Sequence, residues 1–132
     1  MNDELKRIIE QSSFEVQEGI YIYAKANSAP KIGNHFMVSK DKYEITVVTK
    51  EENLQDLDLI ERNKDNYSLI ALNVSIPFYS VGFLATVSTA IAKANMNILI
   101  ISTYSKDYIM VREDKLKGAK EVLFLLGFKE QK

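Results

Sequence analysis

In the second half of the chain, segments with the two-residue hydrophobic period of a β-strand alternate with segments whose apolar residues recur every three or four positions, as in an α-helix. Over 67–75, the apolar residues Ile70, Leu72 and Val74 alternate with their neighbours, and this two-residue period predicts a central strand. From 80 to 95, apolar side chains recur every three or four positions, which predicts an amphipathic helix. The two segments together form the start of a strand-helix unit.

Two further strands and a second helix follow. The apolar run 97–103 and the alternating run 108–112 flank a short polar turn, so they predict a hairpin. Asp114 then suits the start of a helix that Gly127 ends, and Phe128 begins a last short strand. This order predicts a ferredoxin-like α+β sandwich, in which two helices cover one face of a four-stranded antiparallel sheet.

The same pattern predicts the core and leaves one face of the sheet open. The strands 67–75 and 97–103 are expected to be interior. The helix residues expected to be buried are Leu84, Val87, Ile91, Leu116, Leu123 and Leu126. Because an open apolar face must be covered, we expect the first segment of the chain, a second copy, or both to pack against it.

The first half of the chain carries a weaker pattern. Residues 3–11 have helical spacing after capping-type residues and predict a short amphipathic helix. Residues 14–26 read as a strand interrupted at Gly19, and 36–39 with 43–49 read as a hairpin.

A polar stretch at 61–66 separates the two halves, which also differ in charge. Residues 1–66 carry nine Lys and Arg against thirteen Asp and Glu, whereas 67–132 carry eight against five. We therefore expect a first α/β module at 1–66 and a second domain at 67–132.

Composition excludes several classes of function. The chain has 132 residues, of which 46% are hydrophobic and 27% charged, no cysteine and one histidine. Disulfides and thiolate chemistry are therefore absent, and histidine metal sites are not expected. No apolar run approaches the roughly 18 residues that a membrane helix needs, and the acidic start differs from a secretory signal, so we expect a cytoplasmic protein.

The sequence offers no set of residues for catalysis. It contains no combination of nucleophile and base, paired carboxylates or metal cluster that we can assemble, so no enzymatic activity, cofactor or metal is expected. An RNA-binding module shares the same element order, but its glycine-aromatic signature is missing from 107–112 and the net charge is −1, so nucleic acid is not an expected partner.

Two segments, 73–84 and 94–111, resemble the ACT domain. The most specific part is 102–111, where Ser-Thr-Tyr ends one strand and Asp-Tyr-Ile-Met-Val begins the next. The resemblance covers essentially 67–132 and extends to small two-module ACT proteins, the cytosolic arginine-sensor family and aspartokinase-type regulatory modules. It implies an ACT sandwich in the second half.

The first half is similar to the degenerate first module of such proteins. The similarity rests on Gly-Ile-Tyr-Ile-Tyr at 19–23, Phe-Met-Val at 36–38 and Glu-Ile-Thr-Val-Val at 44–48. It implies that a degenerate ACT-like module precedes the ACT domain.

The candidate ligand site combines a loop and a turn. The loop 75–82 leads to a helix N-terminus, where free N–H groups suit a carboxylate. Resemblance to the arginine sensors implies that the turn 103–107 lines the effector pocket. The expected ligand-binding residues are Ser75, Phe78, Ser80, Val81, Gly82, Thr103, Tyr104 and Asp107.

Several of these residues have a structural alternative. Ser80 could only cap the helix, and Gly82 could only ease a turn, rather than allow a ligand close to the backbone. Asp107 could accept a ligand ammonium or shape the turn through its own backbone, and Tyr104 could wall a pocket or cover core. Phe78, which Tyr79 follows, suits a ligand lid or an interface.

We expect a non-catalytic regulatory or sensor protein that binds a small molecule, most simply an amino acid, and forms a homodimer. A ligand-free dimerisation or protein-interaction module with the same fold is the alternative.

Overall fold

The computed structural model describes residues 1–74 and 81–132. Its internal contacts divide the chain into two units, one of residues 1–18 with 68–132 and the other of residues 19–67. Within the described residues, the helices are α1 (Asp3–Glu10), α2 (Phe83–Lys93) and α3 (Leu116–Leu126). The strands are β1 (Ser13–Val16), β2 (Tyr21–Ala26), β3 (His35–Lys40), β4 (Ile45–Lys50), β5 (Leu59–Arg62), β6 (Tyr67–Asn73), β7 (Leu99–Ser102), β8 (Asp107–Arg112) and β9 (Lys129–Glu130).

The larger unit has the predicted ferredoxin-like α+β fold with one additional strand. Its sheet runs β7-β8-β6-β1-β9. Strand β1 lies between β6 and β9, antiparallel to β6 with Phe14 opposite Leu72, and parallel to β9. In the predicted four-stranded sheet, β6 and β9 would be the first and last strands and would pair with each other. Instead, β1 from the start of the chain lies between them.

The predicted boundary between 66 and 67 differs from the division that the contacts make. Helix α1 and β1 lie with the second half because Leu5, Ile9 and Phe14 are buried in the same core as Ile91 and Leu123. Only a non-local pairing reveals this arrangement, since the apolar pattern of 1–18 does not say which strand it will join.

The smaller unit contains four strands in the order β3-β4-β2-β5. Numbered along the chain, this is the second, third, first and fourth strand, the order that the larger unit also follows apart from β1. In the larger unit a helix follows the first and the third strand of this order. In the smaller unit those two connections are a loop at 27–34 and a 3₁₀ helix at Glu51–Asp56. The polar stretch 61–66, which was predicted to separate the two halves, begins within β5.

The core of the larger unit confirms part of the predicted burial. Val87, Ile91 and Leu123 are buried. Leu84, Leu116 and Leu126 are only partly buried and pack against the edge of the same cluster. Six of the seven residues of β6 are buried, as expected for an interior strand.

The expectation that 97–103 is interior was wrong. Among the described residues, β7 pairs only with β8, and its burial alternates between half-buried and exposed. The order of the sheet puts the second strand of this fold at the edge, and an apolar run alone does not distinguish an edge strand from a central one.

The centre of the sheet is buried on both faces. Ile70 and Leu72 belong to the core that the helices cover. Leu69, Ala71 and Met110 point to the other face and are also buried. The expectation that this apolar face must be covered is therefore met within the single chain at β6 and β8.

The predicted signals are followed at the start of α1 and at the C-terminal ends of α2 and α3. Asn2 caps α1, and Asn95 and Gly127 adopt the left-handed conformation after α2 and α3. Asp114 does not cap α3; it lies in a 3₁₀ turn and forms an ion pair with Arg112 at 2.8 Å. No helix in the described part of the chain is both long enough and apolar enough to span a membrane.

Candidate functional site

The loop 75–82 is described only at its end. Ser75, Phe78 and Ser80 lie outside the described residues. Gly82, not Ser80, occupies the cap position of α2, and its carbonyl accepts the first helical hydrogen bond from Thr86 at 2.9 Å. Val81 precedes it with its side chain 88% exposed.

Gly82 is required for its backbone conformation. Its φ of +82° is left-handed, which an L side chain adopts at a cost. An added Cβ would meet only Leu5 Cδ2 at 3.9 Å, an ordinary contact. The left-handed φ supports an eased turn at this glycine, and the open space beside it leaves the approach of a ligand to the backbone a prediction.

Among residues 1–74 and 81–132, no side-chain cap and no acidic residue of the first turn neutralises the N-terminus of α2. The N–H groups at 83–85 precede the first helical hydrogen bond, so they point out of the helix start together with the positive end of its dipole. This end of α2 therefore suits an anionic group.

The turn between β7 and β8 is closed by Thr103. Its backbone N–H and its hydroxyl both donate to the carbonyl of Lys106, at 2.8 Å and 3.1 Å. These bonds give Thr103 a structural role in the turn and use the proton of its hydroxyl, whose oxygen can still accept a hydrogen bond.

Asp107 is held by a side chain rather than by its own turn. Its Oδ1 accepts a hydrogen bond of 2.6 Å from the Ser102 hydroxyl, across the antiparallel pair. Within residues 1–74 and 81–132, Oδ2 has no hydrogen-bond partner. The carboxylate is thus oriented and half-buried, with one oxygen left to accept a donor.

Tyr104 lies at the tip of this turn with 87% of its surface exposed. So exposed a ring does not cover the core, which was one of its two sequence interpretations. Its position leaves it accessible from solvent beside the turn.

Sequence reasoning missed two polar residues at the ends of these strands. Ser102 stands opposite Asp107 in the hairpin, a pairing that depends on the register of the two strands. Asn73 ends β6; its Nδ2 donates to Gln131 at 3.0 Å, while its Oδ1 is buried without a partner among the described residues. No sequence signal identifies Asn73.

The described side chains include no group of three or more His, Cys, Asp and Glu that could hold a metal ion.

Residues 63–123 match the model of the ACT domain family. No curated protein matches the chain.

Solved structures with the same fold cover nearly the whole chain. A possible transport protein of unknown function from Vibrio cholerae is 24% identical, with a TM-score of 0.81 over 94% of this chain and 96% of its own. A putative C-terminal regulatory domain of aspartate kinase from Porphyromonas gingivalis is 14% identical, with a TM-score of 0.58 over 89% and 98%. The ligand-free regulatory subunit of aspartate kinase from Thermus thermophilus is 10% identical, with a TM-score of 0.60 over 87% and 95%. At these identities the likeness demonstrates a shared fold.

Proposed function

We propose that this chain, which contains an ACT domain over residues 63–123, is a cytoplasmic regulatory protein that binds a free amino acid and catalyses no reaction. The ACT domain and the aspartate kinase regulatory modules of similar fold support a regulatory, ligand-binding role in general. The choice of an amino acid rests on the chemistry of the site.

The observation that carries the proposal is the oriented carboxylate of Asp107. Ser102 holds one of its oxygens at 2.6 Å and leaves the other available. A carboxylate in this position attracts a ligand ammonium more strongly than a neutral acceptor would, because its hydrogen bonds are charge-assisted.

The start of α2 supplies the complementary group. Its N–H donors have no side-chain cap in the described part of the chain and no acidic residue in the first turn, which favours a ligand carboxylate. Strand β8 lies between β6 and β7. In an antiparallel sheet, the last residue of β6 and the first residue of the neighbouring β8 lie at the same end of the strands. Asn73, after which the chain leads to α2, and Asp107 are therefore on the same side of the fold. An α-amino acid carries both matching charges.

The residues of the loop complete the proposed site. Ser75, Phe78 and Ser80 are proposed to contact the ligand together with Val81 and Gly82. Thr103 and Tyr104 are proposed to bound it from the turn, Thr103 by shaping the backbone and Tyr104 by its ring.

We also propose a homodimer that forms through β7. This edge strand reads Leu-Ile-Ile-Ser, without charge or proline, and its Ile100 is 41% exposed. An uncharged edge with free backbone groups favours pairing with another strand, and a second copy offers the identical edge. We propose that the degenerate ACT-like module predicted at 1–66 is formed by residues 19–67, which have the strand order of an ACT domain and no α-helix.

Binding at this site is tested by calorimetry with each of the twenty amino acids, together with amide NMR shifts at 103–107. We expect at least one amino acid to bind and to shift these amides. Asp107→Asn should weaken that binding about ten- to hundredfold, the effect of losing one charge-assisted hydrogen bond. Asp114→Asn is the matched control, since Asp114 pairs with Arg112 outside the site.

If no amino acid at 10 mM shifts the amides at 103–107, the ligand-free dimerisation module becomes the better interpretation. The same holds if Asp107→Asn leaves the affinity at the turn unchanged.

A further inference from the structure

The outer surface of α2 differs from that of an ordinary solvated helix. Residues 83–92 contain no charged side chain, although Ala85 and Thr89 are exposed. A helix at the surface of a protein normally carries charged residues on the face away from the core. In the same unit, α1 follows this rule and exposes Lys6 and Arg7. The uncharged face of α2 is therefore a candidate contact surface.

An apolar groove, which we call the α2 groove, runs along this face. Its volume is about 370 Å³, and Met1 and Leu126 line it together with residues of α2. Because an α-helix rises about 1.5 Å per residue, the part of the groove between Ala85 and Lys93 is about 12 Å long. A space of this size accepts a large apolar side chain from another molecule.

A large apolar side chain protrudes beside the α2 groove. Leu125 is 88% exposed, and it follows Gly118 by seven residues, so both lie on the same side of α3. That side faces α2, because a Cβ on Gly118 would lie 3.3 Å from Sδ of Met96, which follows α2. The next residue, Leu126, lines the groove itself. One surface of the larger unit therefore carries both a protruding leucine and an apolar recess.

Charged residues of opposite sign lie at the two ends of the α2 groove. Lys93 is the last residue of α2. The first turn of α1, which contains Asp3 and Glu4, lies at the other end, because Cδ2 of Leu5 is 3.9 Å from a Cβ placed on Gly82 before α2. Within residues 1–74 and 81–132, neither Lys93 nor Glu4 forms an ion pair. Both charges are therefore available to a second molecule.

A second copy of the chain carries the matching groups. When two copies meet across a twofold axis with their α2 helices antiparallel, the Lys93 end of each groove lies beside the acidic end of the other. The same axis brings Leu125 of each copy to the groove of the other copy. The methylene chain of Lys93 can then cover the leucine while its ammonium contacts Glu4 of the other copy. Shape and charge thus both favour self-association.

We propose that the α2 groove is a homotypic contact surface that joins two copies of the chain through a twofold axis at α2. This contact does not involve β7 or any residue of the proposed ligand site. Two leucines and two exposed ion pairs make a small interface, so we expect weak association, with a dissociation constant of about 100 μM. Between dimers formed through β7, it produces tetramers at high concentration.

The test uses Ile100→Lys, so that pairing through β7 does not contribute to the measurement. Analytical ultracentrifugation of this variant should show a monomer at about 20 μM that becomes a dimer towards about 1 mM. Over the same range, the amide NMR signals of 85–93 should shift with concentration. Both observations report association at α2 whether or not the wild-type protein dimerises through β7.

A substitution at Leu125 tests the protruding side chain. In the Ile100→Lys protein, Leu125→Lys should raise the dissociation constant at least about tenfold, because it withdraws an apolar side chain from the groove and adds a cation near Lys93. Folding should be retained, since Leu125 is exposed. Ile32→Lys is the matched control, because Ile32 is exposed in a loop of the smaller unit, and it should leave the dissociation constant unchanged.

Charge reversal tests whether the partner is a second copy. Lys93→Glu and Glu4→Lys should each raise the dissociation constant about threefold to tenfold, because each places like charges opposite one another. The two substitutions in one chain should return the constant to within about twofold of its original value, since the ion pair forms again with its signs exchanged.

Three results would each overturn the proposal: Ile100→Lys stays monomeric up to about 1 mM, Leu125→Lys associates as strongly as Ile32→Lys, or the double reversal is no stronger than the single ones. Failure of the β7 dimer is measured separately, as an equal mass of the wild-type protein and Ile100→Lys at about 20 μM.

Discussion

The hydroxyl of Ser102 and the carboxylate of Asp107 face each other across the last paired position of the β7–β8 hairpin, joined by a hydrogen bond of 2.6 Å. The bond restrains the Asp107 side chain before any ligand arrives. A restrained carboxylate loses less conformational entropy on binding, so at the proposed ligand site we expect Ser102 to raise the affinity through Asp107.

Replacing Ser102 with alanine should therefore weaken ligand binding about threefold to tenfold, less than Asp107→Asn does. Stability should change by under about 1 kcal/mol, since the bond is exposed. Calorimetry measures the affinity. Ser88→Ala is the control, because that hydroxyl bonds only within α2; equal affinity losses in the two serine variants would contradict a positioning role for Ser102.

Gly82→Ala should destabilise the protein by about 1–2 kcal/mol, because the left-handed φ at the start of α2 is strained for alanine. Gly33→Ala is the matched control: its φ is not left-handed and its surroundings are empty, so its stability should be unchanged or slightly higher. Urea unfolding compares them. If Gly82→Ala and Gly33→Ala have the same free energy of unfolding, the left-handed conformation at residue 82 is not needed for stability and the prediction is wrong.

Ile91→Ala should lower the free energy of unfolding by about 2–5 kcal/mol, because its fully buried side chain leaves a cavity between α2 and the sheet. Leu84→Ala should cost less, since Leu84 only packs at the margin of the same cluster. Leu125→Ala, at an exposed position of α3, should have little effect. Thermal or urea unfolding gives the ranking, and a larger loss at Leu84 than at Ile91 would contradict the packing described above.

The proposed dimer predicts that Ile100→Lys yields a monomer by light scattering at tens of micromolar, because a charge on β7 opposes edge-to-edge pairing. Ile32→Lys is the control, since Ile32 is exposed in a loop of the smaller unit. A wild-type protein that is monomeric at this concentration would refute the dimer, and a dimer unaffected by Ile100→Lys would move the interface away from β7.

Local pattern was enough to predict most of the elements. The helical spacing of Leu5, Ile8 and Ile9 predicted α1, and the two-residue alternation around Ile70 predicted β6, because these periods arise from backbone geometry within the element itself. The positive-φ ends at Asn95 and Gly127 were predictable for the same reason.

Only the tertiary structure showed which strands pair when they are distant in the sequence. The insertion of β1 between β6 and β9, and the edge position of β7, depend on which strands pair, and hydrophobic period carries no information about that choice. The fold class was predictable because the βαββαβ order restricts the topology, whereas the unit to which residues 1–18 belong was not.

The candidate sites divide in the same way. The sequence by itself indicated Gly82 and Asp107, because a glycine before a helix and an aspartate after a turn are local signals. It did not indicate that Ser102 holds Asp107. That relationship needs two strands to be brought into register, and that is a property of the folded sheet rather than of either segment.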